Sequence, residues 1–331
     1  MPSDAPSKEP SPSRPWVRAA LLVLGVVLLT AIVVSTGVER ILEALRDALP
    51  LIPALLALDV LYATCEVLAH RSVLGLRARE IPLISFLRVS MMTYCTSALA
   101  PLGRAGGEVV RAMGFAPFVG AGRATAAGAN MQGSVLIANA LISIPCAIAV
   151  GRVVGAAHAL TWLIAANALG TLVLGSATWL LSRSKLGARL GARFPKLKKL
   201  GSELDEGARA TKSELLRATF FATLSRLVQV GQYALLLLSV GGAVTVSSVL
   251  VTMGIHLVGA GFGDMVPSQL GVHEATYRLF ADVIGLADPA RAVSIALLAR
   301  IVSYLVASLC LASIPILTRA ETKRAESIES A

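Results

Sequence analysis

Long apolar stretches alternate with short charged segments along most of the chain. A helix needs about 20 predominantly apolar residues to cross a bilayer, and the chain contains six such stretches. We predict full spans at 16–37, 50–70, 124–150, 153–182, 218–240 and 290–318. Between the first two, residues 38–49 place apolar side chains at helical spacing with charges opposite, which predicts a short amphipathic helix on the membrane surface.

Two further apolar stretches are interrupted by proline and glycine and are too short on their returning arms to cross the membrane. The first covers 81–122 and breaks at PLGRAGG, residues 101–107, before it returns as 108–122. The second covers 244–286 and breaks within GDMVPSQLGVHEATYR, residues 263–278. Backbone groups freed by such a break survive at membrane depth only where they are buried in protein or line a wet cavity. Both stretches therefore predict re-entrant helical hairpins.

Basic residues set the predicted orientation, because cytoplasmic loops are enriched in Lys and Arg. Ten of the 30 Lys and Arg residues lie in 182–217, which marks that segment as a cytoplasmic loop. Residues 1–15, which hold five prolines, predict a disordered cytoplasmic tail, and 319–331 predict a second cytoplasmic tail. We therefore expect a multi-pass protein of the cell inner (plasma) membrane with both termini in the cytoplasm.

With this orientation the first hairpin enters from the inside and the second from the outside. Residues 16–150 and 153–318 then form two halves of one integral membrane domain, each with two spans, a hairpin and a span, in opposite orientation. Pro, Gly, Glu and Arg also follow one another in the same order at both tips. Inverted repeats with interrupted helices are typical of transporters, whose substrate site lies near the midplane between the halves. The alternative is that two Pro/Gly breaks coincide by chance.

Composition agrees with an all-α polytopic membrane protein: of 331 residues, 55% are hydrophobic and 15% are charged, and the mean hydropathy is +0.73. A soluble domain has about 25% charged residues. The net charge of +10 follows from the positive-inside bias, and we predict no nucleic-acid partner. The cysteines are expected to be packed thiols within apolar spans, and the histidines form no ligand cluster, so we predict no metal, no cofactor, no catalytic residue and no enzymatic activity. These residues are Cys65, Cys95, Cys146, Cys310, His70, His158, His256 and His273.

The candidate substrate-binding residues lie at the two hairpin tips, where a helix that starts at membrane depth leaves N–H groups unpaired and attracts anions. At the first tip, Arg104 adds a full positive charge from a glycine-rich loop that offers no helical i+4 partner. At the second tip, Glu274 and Arg278 are four residues apart and can form an internal salt bridge or a headgroup clamp. The full set is Pro101, Arg104, Gly106, Gly107, Glu108, Arg111, Asp264, Pro267, Ser268, Gln269, Gly271, Glu274, Arg278 and Arg300.

Several charged residues have competing structural interpretations. Glu108 sits early in its helix, where an acid can act as an N-terminal cap, and Arg111 can either contact a headgroup or extend to the cytoplasmic face. Asp59, Glu66 and Arg226 lie inside predicted spans and are possible intramembrane charge partners. Each charge can belong to a structural salt bridge, but together they outline a charged path through an apolar body.

The tip sequences APLGRAGGEVVR and VPSQLGVHEATYRLFADVIGL resemble the lysylphosphatidylglycerol synthase transmembrane region, a flippase-like integral membrane family. That family has a proline followed by a Gly-Gly pair in its first half. Its second half has a P-S-x-x-G-x-x-E segment followed by a helix that bears an arginine, and Arg300 in ALLARIVSYL fits this feature. The resemblance covers most of 50–316 in layout and implies that the chain moves aminoacylated, glycosylated or polyprenyl-linked lipids between leaflets.

The chain departs from that family in two places. ANMQGSV at 129–135 stands where many members carry a basic residue after an acid, which puts any role of that site in doubt. The bifunctional synthases also continue into a large aminoacyl-transferase domain, whereas this chain ends thirteen residues after Thr318. We therefore expect that it is not a complete synthase.

We predict a lipid flippase-like transporter that moves an anionic, aminoacylated, glycosylated or polyprenyl-linked membrane lipid between leaflets. The anionic headgroup would enter between the hairpin tips while the acyl tails stay in the bilayer. Two alternatives are a non-catalytic membrane scaffold for a separate lipid-modifying transferase and a small-solute permease. A lipid path needs a groove that opens sideways to the bilayer, a permease needs a closed aqueous vestibule, and a scaffold needs neither.

Overall fold

The structure of the chain is a computed structural model that describes residues 27, 30–31, 34, 38–100, 103–182, 184, 186–193, 198–263, 266 and 269–329. The described residues form α-helices and short turns, and none of them lies in a strand. The predicted tail at 1–15 and most of the predicted span at 16–37 fall outside the described residues, as do four candidate site residues, Pro101, Asp264, Pro267 and Ser268.

In chain order the first six helices are α1 (Val38–Ala48), α2 (Ile52–Leu74), α3 (Leu83–Leu99), α4 (Gly103–Val119), α5 (Ala121–Val154) and α6 (Ala159–Ser182). They are followed by α7 (Leu186–Arg193), α8 (Lys198–Ala208), α9 (Lys212–Ser239), α10 (Val246–Gly263), α11 (Val272–Leu279), α12 (Ala281–Ile284) and α13 (Pro289–Glu329). Two 3-10 turns, Leu49–Leu51 and Gly75–Arg79, flank α2.

Six of the described segments are long and apolar enough to cross a membrane, so the chain is an all-α multi-pass membrane protein. They are Ile41–Arg79, Ala121–Val154, Ala159–Leu181, Lys212–Ser239, Val246–Gly263 and Pro289–Thr322. Five coincide with predicted spans. The other is α10, which was predicted only as the first arm of the second hairpin. Its 18 residues make a helix about 27 Å long, close to the ~30 Å of hydrocarbon in a bilayer.

The helix predicted at 38–49 is confirmed as α1. Ile41 is buried against Ala290 and Val293 at the start of α13, whereas the neighbouring Leu42 is exposed. Ile41 therefore docks α1 onto this end of α13, which the basic-residue bias predicts to be outside.

Helices α3 and α4 form the first hairpin, but the break between them is shorter than predicted. Helix α4 begins at Gly103, so Gly106 and Gly107 lie in its first turns and not in a loop. A Cβ atom on Gly107 would lie 2.0 Å from Ser97 Oγ and 2.9 Å from the carbonyl oxygen of Thr93. The prediction that this glycine pair breaks the helix is wrong, because here glycine lets two helix backbones approach closely, as small residues do in membranes.

Helix α10 and the short helices α11 and α12 form the second hairpin. Helix α11 starts after Gly271, whose φ of +77° lies in the left-handed region that glycine adopts readily. The Tyr277 hydroxyl donates to the Thr252 carbonyl oxygen at 3.0 Å, and a Cβ on Gly259 would lie 2.8 Å from His273 Nδ1, so α11 runs antiparallel to α10. With eight residues in α11 and four in α12, this returning arm is shorter than the ~20 residues that cross a bilayer.

The two hairpins belong to two apolar clusters that draw on opposite ends of the same three helices, α2, α5 and α9, and α13 contacts both hairpins. The apolar cluster around the first hairpin includes Ala69, Val73, Phe86, Val89, Phe115, Ala127, Met131, Leu215, Ala218 and Ala222. The cluster around the second includes Leu55, Ile142, Cys146, Tyr233, Leu236, Val251, Ile255, Tyr277 and Ile295. The parts of α2 and α9 that lie between these two clusters are 56–68 and 223–232, and they carry the polar residues described below.

The basic segment 182–217 contains helices α7 and α8, and α8 packs on the start of α5 through its acids. Glu206 forms ion pairs with Arg77 and with Arg123, the latter at 2.5 Å. Glu203 accepts a hydrogen bond from a backbone N–H in the first turn of α5 at 3.3 Å. The hydrogen bonds from Arg123 and then from Arg77 lower the pKa of Glu206 below its ordinary value of 4.5. Acidic side chains thus anchor a segment whose net charge is strongly positive.

Single cysteines test the orientation, in a variant whose native cysteines are replaced. We expect cysteines at Ser184 and Thr322 to be shielded from an impermeant thiol reagent in intact cells, because the basic residues place both in the cytoplasm. A cysteine at Ala156, in the turn between α5 and α6, should react. Cell lysis should make the first two positions reactive, which controls for burial. Labelling of the Ser184 position in intact cells would contradict the orientation.

Replacing Glu206 with Gln should make 182–217 more sensitive to trypsin in inside-out vesicles at neutral pH, because both ion pairs are lost. A lowered pKa means that the anchoring is present at neutral pH and is lost only as the pH falls through a value below 4.5. Pepsin in strong acid should therefore cleave the wild type and the variant alike. Glu43→Gln on α1 is the matched control. Equal trypsin cleavage of Glu206→Gln and the wild type would refute the anchoring role.

Candidate functional site

Two arginines from different helices share the carboxylate of Glu66 in α2. Arg226 Nη2 of α9 lies 3.5 Å from Glu66 Oε1, and Arg104 Nη2 at the start of α4 lies 3.8 Å from Oε2. Ser225 Oγ donates a further hydrogen bond to Glu66 at 3.1 Å. The side chains of Arg226 and Glu66 are 5% and 14% exposed, whereas that of Arg104 is 39% exposed. One buried carboxylate therefore faces two guanidinium groups, one of which is open on one side.

Neutral groups also hold the Arg226 guanidinium. Its Nη1 donates to the Tyr62 hydroxyl at 3.0 Å and to Gln229 Oε1 at 2.9 Å. Its Cζ lies 5.3 Å from the centroid of the Tyr62 ring, within cation–π distance. Its Nε is buried and has no hydrogen-bond partner among the described residues. Because buried polar groups are almost always hydrogen-bonded, this N–H is a candidate contact for a ligand.

A pair of stacked histidines continues the polar path from Arg226 toward the second hairpin. Gln229 Nε2 lies 3.2 Å from His256 Nε2, and the Tyr233 hydroxyl lies 2.6 Å from His256 Nδ1. The rings of His256 and His273 stack with their centroids 4.9 Å apart and their planes 16° apart. These contacts join α9 to α10 and then to α11 at the tip of the second hairpin.

At the second tip, Gln269 and Glu274 meet Arg300 of α13. His273 Nε2 lies 2.9 Å from Gln269 Oε1, and Arg300 Nη2 donates to the Gln269 backbone carbonyl at 3.2 Å. Gln269 has a φ of +53°, a left-handed conformation that is uncommon outside glycine. Arg300 Nη2 lies 3.1 Å from Oε1 of Glu274, whose side chain is fully buried. Arg300 Nη1 has no hydrogen-bond partner in the described part of the chain.

These contacts form one continuous polar path from the first tip to the second. We call it the tip-to-tip network. It consists of Arg104, Glu66, Arg226, Tyr62, Gln229, His256, Tyr233, His273, Gln269, Arg300 and Glu274. The structure thus brings together charged tip residues predicted from both halves with two of their predicted intramembrane partners. Arg104 was predicted to have no helical i+4 partner; its ion-pair partner is Glu66 of α2, and Glu108, four residues further along α4, pairs with Arg111.

Two predicted site residues of the first hairpin lie apart from this network. Arg111 Nη1 pairs with Glu108 Oε1 at 2.8 Å, and Gln132 Nε2 of α5 donates to the same oxygen at 3.1 Å. Glu108 therefore does not cap the start of α4, because its side chain points toward α5. This pair ties the first hairpin to the next span.

The predicted pairing of Glu274 with Arg278 is also wrong. Glu274 is buried and its ion-pair partner is Arg300, whereas Arg278 is exposed. The reason is that α13 brings its arginine to the buried face of α11 from 26 positions further along the chain. Local spacing within one helix does not reveal such a contact.

Asp59 lies two helical turns before Glu66 on α2 and has a different environment. Its carboxylate accepts a hydrogen bond from the Tyr94 hydroxyl of α3 and one from Gln232 Nε2 of α9 at 3.3 Å. Asp59 is only 4% exposed. Among the described residues, no arginine, lysine or histidine lies within ion-pair distance of it.

The sequence analysis missed the histidines of the network, because they were assessed only as metal ligands. A signal was available in the spacing. His256 lies eight residues before the break at 264–268, and His273 lies five residues after it. A hairpin that turns there brings the two side chains together. The four cysteines, by contrast, are free, and three of them are buried, as expected of packed thiols.

Comparison with known proteins relates the chain to one family. A family model described as "Lysylphosphatidylglycerol synthase TM region" matches residues 17–310, a range that includes every member of the tip-to-tip network. The resemblance seen in the tip sequences is thereby confirmed. Comparisons with curated proteins and with solved structures give no match.

Replacing Glu274 with Gln should lower the Tm of the purified protein, because Arg300 is left without a carboxylate. Breaking a buried ion pair by removing one partner costs roughly 3–5 kcal/mol. The double variant Glu274→Leu/Arg300→Met should recover much of this loss, because it removes both charges. The measurement is thermal unfolding in one detergent. Glu108→Gln, which affects a more exposed pair, is the control and should cost less. A wild-type Tm for Glu274→Gln would show that the pair contributes no stability.

Proposed function

The chain belongs to the lysylphosphatidylglycerol synthase TM region family, and we propose that it is a lipid flippase-like transporter of the inner (plasma) membrane. It moves a lipid with an anionic headgroup, which is aminoacylated, glycosylated or polyprenyl-linked, between the two leaflets. It makes no covalent change to that lipid. The family supports a role with lipids, and the charges of the tip-to-tip network support an anionic headgroup.

The observation that carries the proposal is the surplus of positive charge at Glu66. Arg104 and Arg226 share this one carboxylate, at 3.8 Å and 3.5 Å. Hydrogen bonds between arginine and an ionised oxygen are normally about 2.7–2.9 Å long. A headgroup phosphate can therefore approach Arg104 more closely than Glu66 does. Behind Arg104, the Nε of Arg226 offers a buried donor with no partner among the described residues.

The start of α4 adds a second attraction for an anion. Arg104 is the second residue of this 17-residue helix. The unpaired N–H groups of a first helical turn carry a partial positive charge of about half a unit, and such termini bind phosphates. The side chain of Arg104 and the dipole of its own helix therefore attract a headgroup to the same place.

The surface next to Arg104 favours a lipid over a small solute. Val109 and Met113 are exposed and stand four residues apart on one face of α4, with Ala105 one turn earlier, directly beside Arg104. Acyl tails can pack along such an apolar stripe while the headgroup contacts the guanidinium. A permease for a small solute would have no use for this stripe at the entrance to its site.

We further propose that both hairpins are re-entrant and that the two halves form an inverted repeat. The support is that the apolar clusters of the two hairpins draw on opposite ends of α2, α5 and α9, and that the returning arm of the second hairpin is short. In this arrangement the network lies between the halves. Rocking of one half against the other would open the Arg104 side to each leaflet in turn.

Transport by the purified protein tests the proposal. Phosphatidylcholine vesicles that contain a small fraction of fluorescent phosphatidylglycerol should show protein-dependent exchange of that lipid between leaflets. Arg104→Gln should fold with a nearly unchanged Tm, because Arg226 stays paired with Glu66. It should lose transport by roughly tenfold or more, the effect of about 1.4 kcal/mol of lost headgroup interaction.

Arg152→Gln, an exposed arginine at the far end of α5, is the matched control and should transport normally. Normal transport by Arg104→Gln, or a large fall in its Tm, would refute the headgroup role. If the wild type moves none of several anionic lipids and co-purifies with a transferase, the scaffold alternative is correct. Transport of free glycerol phosphate without lipid exchange would identify a permease.

A further inference from the structure

Asp59 differs from other acids that the structure describes within the spans and hairpins. Glu66, Glu108 and Glu274 each have an arginine within 4.0 Å. Asp59 has two neutral donors, Tyr94 and Gln232, although it is buried within a span. An ionised carboxylate with no cation beside it is costly at membrane depth.

The position of Asp59 relative to the anion site explains why an acid is present there. Asp59 and Glu66 are seven residues apart in α2, so they project from one face about 10.5 Å from each other along the helix. Tyr62 lies between them and accepts a hydrogen bond from Arg226. With the site empty, an ionised Asp59 balances the charge left over where two arginines share Glu66. When an anion occupies the site, the anion neutralises that surplus positive charge. The negative charge of an ionised Asp59 is then in excess.

We infer that Asp59 is a proton-binding site linked to the anion site, so that Asp59 takes up a proton when an anionic headgroup binds beside Glu66. The lipid and one proton then move together, and a proton gradient can drive the lipid. This inference rests on the proposed function and adds its energy source. The proton comes from solvent and returns to solvent when the headgroup leaves, and no covalent bond of the lipid changes.

The neighbours of Asp59 favour a proton over a metal ion. Tyr94 and Gln232 both turn donor groups toward the carboxylate. A sodium or calcium ion would need oxygen lone pairs at these places. The described part of the chain also contains no group of three or more His, Cys, Asp or Glu that could hold a metal ion.

The titratable and charged groups around Asp59 come from several helices. They are Tyr62 and Glu66 of α2, Tyr94 of α3, Arg226 and Tyr233 of α9, Cys310 of α13, and His256 of α10 behind Tyr233. The formal positive charge among these groups is Arg226, which is bound to Tyr62 and Gln229. A ligand that neutralises the positive charge of Arg226 therefore changes the proton affinity of Asp59.

Thermodynamic linkage gives the size and the sign of the effect that anion binding and protonation of Asp59 have on each other. Two unit charges about 10.5 Å apart, at an effective dielectric constant near 20, change each other's binding constant roughly tenfold. The coupling is reciprocal. A bound anion strengthens proton binding at Asp59, and protonation of Asp59 strengthens anion binding by the same factor. Affinity for the anionic lipid should therefore rise up to about tenfold as the pH falls through the titration of Asp59.

Vesicles with fluorescent phosphatidylglycerol separate this inference from the proposed function. In the wild type, an inward proton gradient should accelerate inward movement of the lipid, and a sodium gradient should not. Asp59→Asn should still move the lipid, but at a rate that depends on neither pH nor the gradient. Asp59→Glu should restore both dependences. Cys310→Ser, which changes a neighbour of Asp59 without removing an acid, should behave as the wild type does.

A second measurement needs no transport. Addition of short-chain phosphatidylglycerol to the protein in weakly buffered detergent should consume about one proton for each lipid bound, and Asp59→Asn should consume none. Lipid movement that is independent of pH in the wild type would overturn the proton site while leaving the transporter intact. So would a full pH dependence in Asp59→Asn, or bound lipid without proton uptake. Failure of the wild type to bind or move the lipid would overturn both.

Discussion

A guanidinium buried at membrane depth requires a carboxylate beside it, and this constraint determines how the helices are arranged. Glu66 of α2 holds Arg226 of α9 and Arg104 of α4, so one acid joins three helices. Glu274 of α11 likewise holds Arg300 of α13. Apolar packing gives little preference between one helix and another in lipid, since the tails are as apolar as the side chains. The ion pairs therefore supply much of the specificity that places both tips on the same path.

The apolar clusters explain why the path lies where it does. Helices α2, α5 and α9 each contribute to the first-hairpin cluster at one end and to the second-hairpin cluster at the other. Tyr62, Glu66, Arg226 and Gln229 of the network lie between these clusters, on α2 and α9. Helix α13 contacts both hairpins and carries Arg300. The polar site therefore lies at the boundary between two apolar packing units.

The sequence predicts the features that depend on local composition, and it fails where a contact depends on distant helices. The spans and the amphipathic helix α1 follow from apolar runs and helical spacing. The tips are recognised by their charged residues, which are rare in such runs. The pairing of Glu274 with Arg300 needs the crossing of α11 and α13, which no local pattern encodes. The glycine pair was misread because glycine serves two opposite purposes. In a loop it frees the backbone, whereas Gly107 within α4 lets α3 approach closely.

The lengths of the ion pairs distinguish structural bridges from the network. Pairs outside it are short: 2.8 Å for Arg111 with Glu108, 2.9 Å for Arg88 with Glu321 and 2.5 Å for Arg123 with Glu206. Within the network the same chemistry gives 3.1, 3.5 and 3.8 Å. Buried arginine N–H groups without a hydrogen-bond partner among the described residues occur in both sets, on Arg226 and Arg300 as on Arg88 and Arg123, so the distinction lies in the lengths of the ion pairs. Donors held near a carboxylate but not satisfied by it are what an anionic headgroup requires, because it can then bind without first breaking a strong bond.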